Sequence, residues 1–179
     1  SILPGSGINL KKYKFNKIKN KKKINFLMIS RNIVEKGIYE YIDAIKIVKK
    51  KFKNVFFSHV GFSIDKGKNV IPINEFENWQ NQGLINYTKH TDNIINFIRK
   101  SDCIVLPTYR EGMPRSVIEG FAVGRPAIIS KVIGTDNIIK ENINGFYCKP
   151  KDPLSLSKKI IKFCKLPFYK KVYLSKNSR

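Results

Sequence analysis

The 179 residues are 42% hydrophobic and 27% charged, the balance of a folded domain, which excludes disorder along the whole chain. No apolar run approaches the ~20 residues of a membrane-spanning helix, and the N-terminus carries no secretory h-region. Thirty-five Lys and Arg against 13 acids give +22, which fits either a polyanion-binding surface or compositional drift, since Lys, Ile and Asn make up 73 of the 179 residues.

Residues 1–9 hold one Pro and two Gly and read as a turn-rich start; a Lys-rich stretch follows over residues 11–23. Residues 25–30 are a strand-like apolar run. Residues 36–51 have helical periodicity, with Ile38, Tyr41, Ile42, Ile45 and Val48 on one face. A second strand is expected over 54–61, ending at Gly61. Residues 74–82 fit a short helix closed by Gly83, and 84–88 a short strand. Asp92 is placed to cap a helix running to Ser101, with Ile94, Ile95 and Ile98 turned inward. Further strands are expected at 103–108, 125–130 and 145–149. Pro114 suits the first turn of a helix that ends at Gly124, and 135–142 read as a short helix. Asp152 caps a last helix reaching about Lys165.

Alternating strands and helices give an α/β fold, a Rossmann-like doubly wound parallel sheet of about six strands with helices on both faces. Such sheets bind ligands at the carboxyl ends of their strands, with phosphate at a helix N-terminus. Cys103, Cys148 and Cys164 are scattered, and neither His59 nor His90 falls near them in sequence. No metal site is therefore expected, and an odd thiol count fits a reducing cytoplasm.

Three constellations fall at the expected ligand edge. Glu111-Gly-Met-Pro-Arg-Ser-Val-Ile-Glu119 follows a buried strand and opens a helix. Gly112 removes a side chain from the approach, and the amides of Arg115, Ser116 and Val117 offer an anion site at the positive end of the dipole. The carboxylates of Glu111 and Glu119 suit vicinal hydroxyls; the same spacing also fits acids that merely complement the helix dipole. Ser30-Arg31 and Lys36-Gly37 bring two cations to the first strand tip, where they can neutralise a diphosphate, or be two more surface cations. Ile133-Gly134-Thr135-Asp136 is a tight turn at the same edge.

The run from Ser101 to Ile128, with Tyr-Arg-Glu111-Gly-Met-Pro-Arg-Ser at its centre, resembles the signature of glycosyltransferase family 4. These are retaining, nucleotide-sugar-dependent enzymes of the GT-B fold. Their E-x7-E motif matches Glu111 and Glu119. Their Gly-Arg…Lys-Gly pair matches Ser30-Arg31 and Lys36-Gly37, and Asn144-Gly145 matches a turn before the last strand. Leu3-Pro-Gly-Ser-Gly-Ile-Asn9 resembles the interdomain junction of such enzymes, and Asn78-Trp-Gln-Asn-Gln-Gly-Leu-Ile-Asn-Tyr87 resembles the subgroup that builds bacterial polysaccharides and lipid-linked glycans.

The resemblance implies that the chain is a C-terminal donor-binding domain. Residues 1–23 would be junction and basic linker, 24–166 the nucleotide-sugar domain, and 167–179 the start of a C-terminal helix. Arg31 and Lys36 would bind the donor diphosphate, beside Ser30 and Gly37. Gly112, Met113, Pro114, Arg115, Ser116 and Val117 would hold phosphates and sugar, Glu111 the sugar hydroxyls and Glu119 the ribose. The base would lie near Tyr87 and Thr88. The donor implied is a UDP-sugar, with no metal and no cofactor. The acceptor, a glycan or lipid-linked sugar, would sit on an N-terminal domain, without which this piece is expected to be inactive. Peripheral contact with the inner face of an anionic membrane is compatible with the charge; nucleic acid is not an expected partner. A non-catalytic basic module and a GT-B nucleotide-sugar epimerase are the alternatives. The chain departs from the family pattern at Ser30, where Gly is usual, at Lys89, also usually Gly, at Gly120, usually Ala, and at Asn137, usually an acid. Gly120 inside a helix costs ~1 kcal/mol relative to Ala.

Overall fold

The computed structural model describes residues 7–62, 67 and 69–179. The turn-rich start expected at residues 1–9 lies mostly outside the described residues. Six strands form one all-parallel sheet: β1 (Ile24–Ile29), β2 (Val55–Val60), β3 (Asn86–Thr88), β4 (Cys103–Leu106), β5 (Ala127–Ser130) and β6 (Gly145–Cys148). Their spatial order is β3-β2-β1-β4-β5-β6. From β1 the chain winds outward to one side, then returns to β4 and winds to the other. The reversal leaves a crevice at the carboxyl ends of β1 and β4, where doubly wound sheets take ligands.

The strands are short apolar runs because they are covered on both faces. Phe26, Leu27 and Met28 are consecutive and all buried, as is every residue of β4 and β5. Helix α1 (Ile38–Lys51) buries the expected stripe Ile38, Tyr41, Ile42, Ile45 and Val48, and packs against α5 (Pro153–Lys165) on one face. Phe26 from β1 stacks on Phe57 of β2 at 5.3 Å and meets Phe163 of α5 edge-on at 5.5 Å, closing that layer. Helix α2 (Ile73–Asn81) packs beside β3. Helices α3 (Ile94–Lys100) and α4 (Arg115–Val123) pack together, with α4 lying against β4 and β5.

Asp152 caps α5 as expected, its Oδ1 accepting from the Ser155 amide at 2.8 Å. Asp92 does not cap α3. Asn93 takes the cap position without a side-chain bond, and Asp92 instead stands exposed beside His90 at 3.7 Å. Residues 135–142 are turns and irregular chain with a single bridge from Glu141 to Gly145, not a helix. Side chains capture the backbone groups a helix would use: Tyr147 OH donates to Thr135 O at 2.5 Å and accepts from Ile139 N at 3.0 Å. Asn144 likewise accepts from Lys140 N at 2.8 Å and donates to Ile138 O at 3.1 Å.

At the opposite edge, Arg125 is 1% exposed. Its guanidinium donates to the carbonyls of Ile98 (3.2 Å) and Arg99 (2.8 Å), to Asn16 Oδ1 (2.6 Å) and to Asn16 O, tying the basic N-terminal stretch to the sheet. Helix α6 (Phe168–Ser178) closes on the same surface. Ser175 Oγ donates to Gly124 O at 2.6 Å, and Arg179 to Ala122 O at 2.8 Å. Among the described residues no helix is long and apolar enough to cross a membrane.

Candidate functional site

The tips of β1 and β4 are stitched together. After β1 the chain makes a single 3-10 turn, Val34–Lys36, and enters α1 through Gly37 at φ 74°. A Cβ at Gly37 would sit 2.0 Å from Pro107 O, so only glycine lets the two tips meet. Thr108 Oγ1 donates to Glu35 O at 3.1 Å, the Tyr109 amide to the same oxygen at 2.8 Å, and Tyr109 OH to Glu40 at 2.7 Å.

This packing delivers Lys36 Nζ onto the carboxylate of Glu111. Both side chains are mostly buried, at 13% and 14% exposure, which strengthens their attraction relative to a surface pair. Glu111 is held from behind by the turn expected at 133–136. Gly134 has φ 86°, and a Cβ there would lie 2.0 Å from Glu111 O and 2.4 Å from Gly112 O. A Cβ at Gly112 would meet nothing within 4 Å among the described residues, which leaves the approach open.

Helix α4 begins just beyond. The Val117 amide is not available to a ligand, because it donates to Pro114 O at 2.9 Å. The amides outside the helix ladder are those of Arg115 and Ser116, and Met113 stands exposed before them. Glu119 is 8% exposed and accepts from Arg115 Nε at 3.1 Å and from the Tyr13 hydroxyl. Burial first, and then this bond to Glu119, push the Tyr13 phenol up to about 12.

Arg31 lies exposed at the β1 tip and lines a cavity of about 240 Å³ together with Val60, Phe62, His90, Thr91 and Ile94. Its charge, behind that of Arg110 and the bonds from a backbone amide and Asn69, helps hold Glu35 below the usual carboxylate range. Ser30 Oγ is buried with no hydrogen-bond partner among the described residues. Tyr87 is not among the residues that line this cavity. Its ring stacks on Phe76 at 4.6 Å, and its hydroxyl accepts from Asn32 at 2.9 Å and donates to Gly61 O at 3.4 Å. Thr88 likewise turns its carbonyl to the Gly61 amide, at 3.1 Å. The base is expected near Tyr87 and Thr88; the cavity beside Arg31 is lined by His90 and Thr91, in the loop that follows them.

The edge thus gathers cations at one strand tip, a helix N-terminus, two carboxylates and an apolar cavity. Together these can hold a diphosphate between a polyol and a flat ring. Among the described residues no three His, Cys, Asp or Glu side chains gather as a metal site. Cys103 and Cys148 are buried core thiols, whose ionisation burial pushes upward.

Residues 10–179 match the family described as glycosyl transferases group 1. The chain belongs to that family. It is 28% identical over 171 residues to the N,N'-diacetylbacillosaminyl-diphospho-undecaprenol alpha-1,3-N-acetylgalactosaminyltransferase of Campylobacter jejuni, covering 89% of this chain and 43% of that relative. The domain therefore spans less than half of that enzyme's length. Its fold is that of the C-terminal domain of the glycosyl transferase group 1 protein LpcC from Francisella tularensis, with a TM-score of 0.80 at 18% identity over 96% of this chain and 94% of that one. Anabaena Alr3699/HepE, solved with UDP-glucose, superposes with a TM-score of 0.73 at 18% identity over 87% of this chain and 43% of that one. The chain is a glycosyltransferase group 1 domain with the fold of that GT-B C-terminal domain, and with the Rossmann-like sheet expected from its sequence.

The residues that sequence reasoning missed are Phe62, His90 and the buried pair Asn32 and His59. A polar Asn between Arg31 and Ile33, and a His within the apolar run of β2, were the available signals.

Proposed function

We propose that this glycosyltransferase domain binds a UDP-sugar and presents it for retaining transfer to a lipid-linked or surface-polysaccharide acceptor held by an N-terminal domain. The observation that carries the reading is the Lys36–Glu111 pair in the crevice between β1 and β4, flanked by Arg31 and the start of α4. HepE, which binds UDP-glucose, and the C. jejuni enzyme, whose name specifies a diphospho-undecaprenol acceptor, support the choice of donor and acceptor class.

In this reading Lys36 and Arg31 neutralise the diphosphate. Negative charge grows on the leaving phosphate as the glycosidic bond breaks, and fixed cations stabilise it most at that point. The Arg115 and Ser116 amides take further phosphate oxygens. Glu111 accepts from sugar hydroxyls and Glu119 from the ribose. The base enters the cavity beside Phe62. The two cations supply the charge that a metal would otherwise bring, so the proposal includes no metal. Part of the +22 charge serves loose attachment to an anionic membrane face, where a lipid-linked acceptor resides.

Calorimetric titration with UDP, GDP and ADP at low and moderate salt tests the reading. Preferential UDP binding that survives moderate salt and is lost in Lys36→Ala supports it. Equal binding of all three that salt erases would overturn it in favour of non-specific polyanion attraction.

A further inference from the structure

We propose that Asn32 is a positioning residue of the donor site, which locks the Arg31 backbone to the far wall of the adjoining cavity. The proposal rests on the donor reading above for its ligand. It stands on a buried polar network that the catalytic groups do not include.

Asn32 is fully buried directly after the exposed Arg31. Its Oδ1 bonds to His59 Nε2 at 2.9 Å, and its Nδ2 donates to Tyr87 OH at 2.9 Å. The Tyr87 hydroxyl in turn donates to Gly61 O at 3.4 Å. The backbone of Asn32 donates to Phe62 O at 2.9 Å and accepts from Ile71 N at 2.9 Å. One residue therefore joins the tip of β1 to the tip of β2, to β3 and to the chain ahead of α2.

The direction of each bond follows from its neighbours. With Nδ2 given to Tyr87, Oδ1 must accept, so His59 carries its proton on Nε2. Its Nδ1 is then a bare lone pair, and that atom is buried with no partner among the described residues. The His59 ring packs against both Phe76 at 5.1 Å and Tyr87 at 5.9 Å, near-parallel to each, which holds its plane toward Asn32. Gly61 completes the fit. A Cβ there would lie 2.5 Å from both Asn32 Oδ1 and His59 Nε2, and 2.3 Å from Ser30 O.

A network needed only for burial could be replaced by apolar side chains of the same shape. This one has two outputs, and both face the ligand edge. Arg31 precedes Asn32, and Phe62, 45% exposed, is the residue whose carbonyl Asn32 holds; both line the cavity. Fixing them before the donor arrives removes an ordering cost from binding.

The test uses the whole chain, with UDP as the probe and amide hydrogen exchange measured without ligand. In Asn32→Ala, UDP affinity should fall at least tenfold and exchange of the residue-32 amide should rise at least tenfold, while Leu27 and Ile104 stay protected. Tyr87→Phe keeps the ring stack and removes the hydroxyl, so it should fold if Asn32→Ala does not. It should weaken UDP about threefold. Asn32→Asp places a carboxylate on the His59 Nε2 proton, which favours the charged imidazole and moves its pKa upward. UDP binding should then change with pH more steeply than the urea stability of the same variant, a difference that a role in folding alone would not produce. Unchanged UDP affinity and unchanged exchange in both Asn32→Ala and Tyr87→Phe overturn the proposal. Failure of the wild-type chain to bind any nucleoside diphosphate overturns the donor reading instead, and the exchange measurement alone then decides whether Asn32 locks the loops.

Discussion

Lys36 and Glu111 are 75 residues apart in sequence, yet they share an ion pair across the crevice between β1 and β4. Each is the other's counter-charge. A diphosphate must draw Lys36 away from Glu111, and a sugar must replace Lys36 on the carboxylate. Lys36→Ala should therefore do double damage, removing a cation and leaving Glu111 to repel the phosphates. We expect UDP affinity to fall by ten- to a hundredfold, roughly 1.4–2.7 kcal/mol. Glu111→Gln should bind UDP at least as tightly as the wild type but lose the extra affinity that a UDP-sugar gains over UDP. Parallel titrations of the two variants with UDP and a UDP-sugar check both statements.

His59 gives the fold a pH dependence of known sign. Burial lowers its pKa from 6.5 to about 3, so it stays neutral in the folded chain. The unfolded chain protonates it near pH 6.5. Stability from this group is complete above pH 6.5 and is lost as pH falls toward 3, at roughly 1.4 kcal/mol per pH unit. The interval from pH 6.5 to 5 lies above the usual carboxylate range, so the loss there, about 2 kcal/mol, belongs mainly to histidine. Urea unfolding at pH 7.5, 6 and 5 should show it. His59→Gln should flatten the slope.

Much of this architecture was legible because a two-sided sheet writes its strands as unbroken apolar runs. Residues 25–30, 54–61 and 103–108 needed no partner to be read, and the stripe on α1 is a local pattern. The segment 135–142 was not legible. Its helical pattern is overruled by Tyr147 and Asn144, side chains that arrive from later in the chain. Lys36 and Glu111 were readable through their motifs as residues of one sheet edge; the ion pair between them was not. The inward turn of Tyr87 was not, because a three-residue strand does not say which face its aromatic takes. Arg125 was read as the start of a strand, although its role is to gather carbonyls from the end of α3 and from the N-terminal stretch.

Arg125 should be a stability residue without a role in binding. Its planar fork meets Ile98, Arg99 and Asn16 at once, which a Lys ammonium cannot reproduce. Arg125→Lys leaves buried carbonyls unsatisfied and should cost about 2–3 kcal/mol. Thermal unfolding should drop by roughly 4–12 °C. UDP affinity measured well below that transition should stay within twofold, since the site lies at the other end of the sheet.

Gly37 and Gly134 form the site by permitting close approach. Each has positive φ, and a Cβ on each would enter a backbone oxygen of the β4 tip. Alanine at either position should cost about 2 kcal/mol or more from left-handed backbone and collision together. Gly134→Ala presses on Glu111 O itself, so it should also weaken a UDP-sugar more than it weakens UDP. Gly83→Ala is the control. It also has positive φ, at 67°, but its Cβ would meet nothing within 4 Å among the described residues. It should lose only the conformational part and leave ligand affinity unchanged.

Gly120 looks in sequence like a lapse from the alanine usual in this family, and helix propensity alone would make Gly120→Ala stabilising by ~1 kcal/mol. The structure reverses the sign. A Cβ at Gly120 would lie 2.5 Å from Ile104 Cγ1 and 3.3 Å from its Cδ1, in the tight packing of α4 on β4. Ile104 is fully buried in a central strand and has little room to yield. Gly120→Ala should therefore destabilise by about 1–3 kcal/mol through overpacking. Ile104→Ala should destabilise by about 2–5 kcal/mol through the cavity it opens. Combined, the new methyl enters the space the isoleucine vacates, and the double variant should be more stable than the sum of the single losses by at least 1 kcal/mol. A double-mutant cycle in denaturant measures this coupling. Additive losses would mean that Ile104 does not set the limit on residue 120.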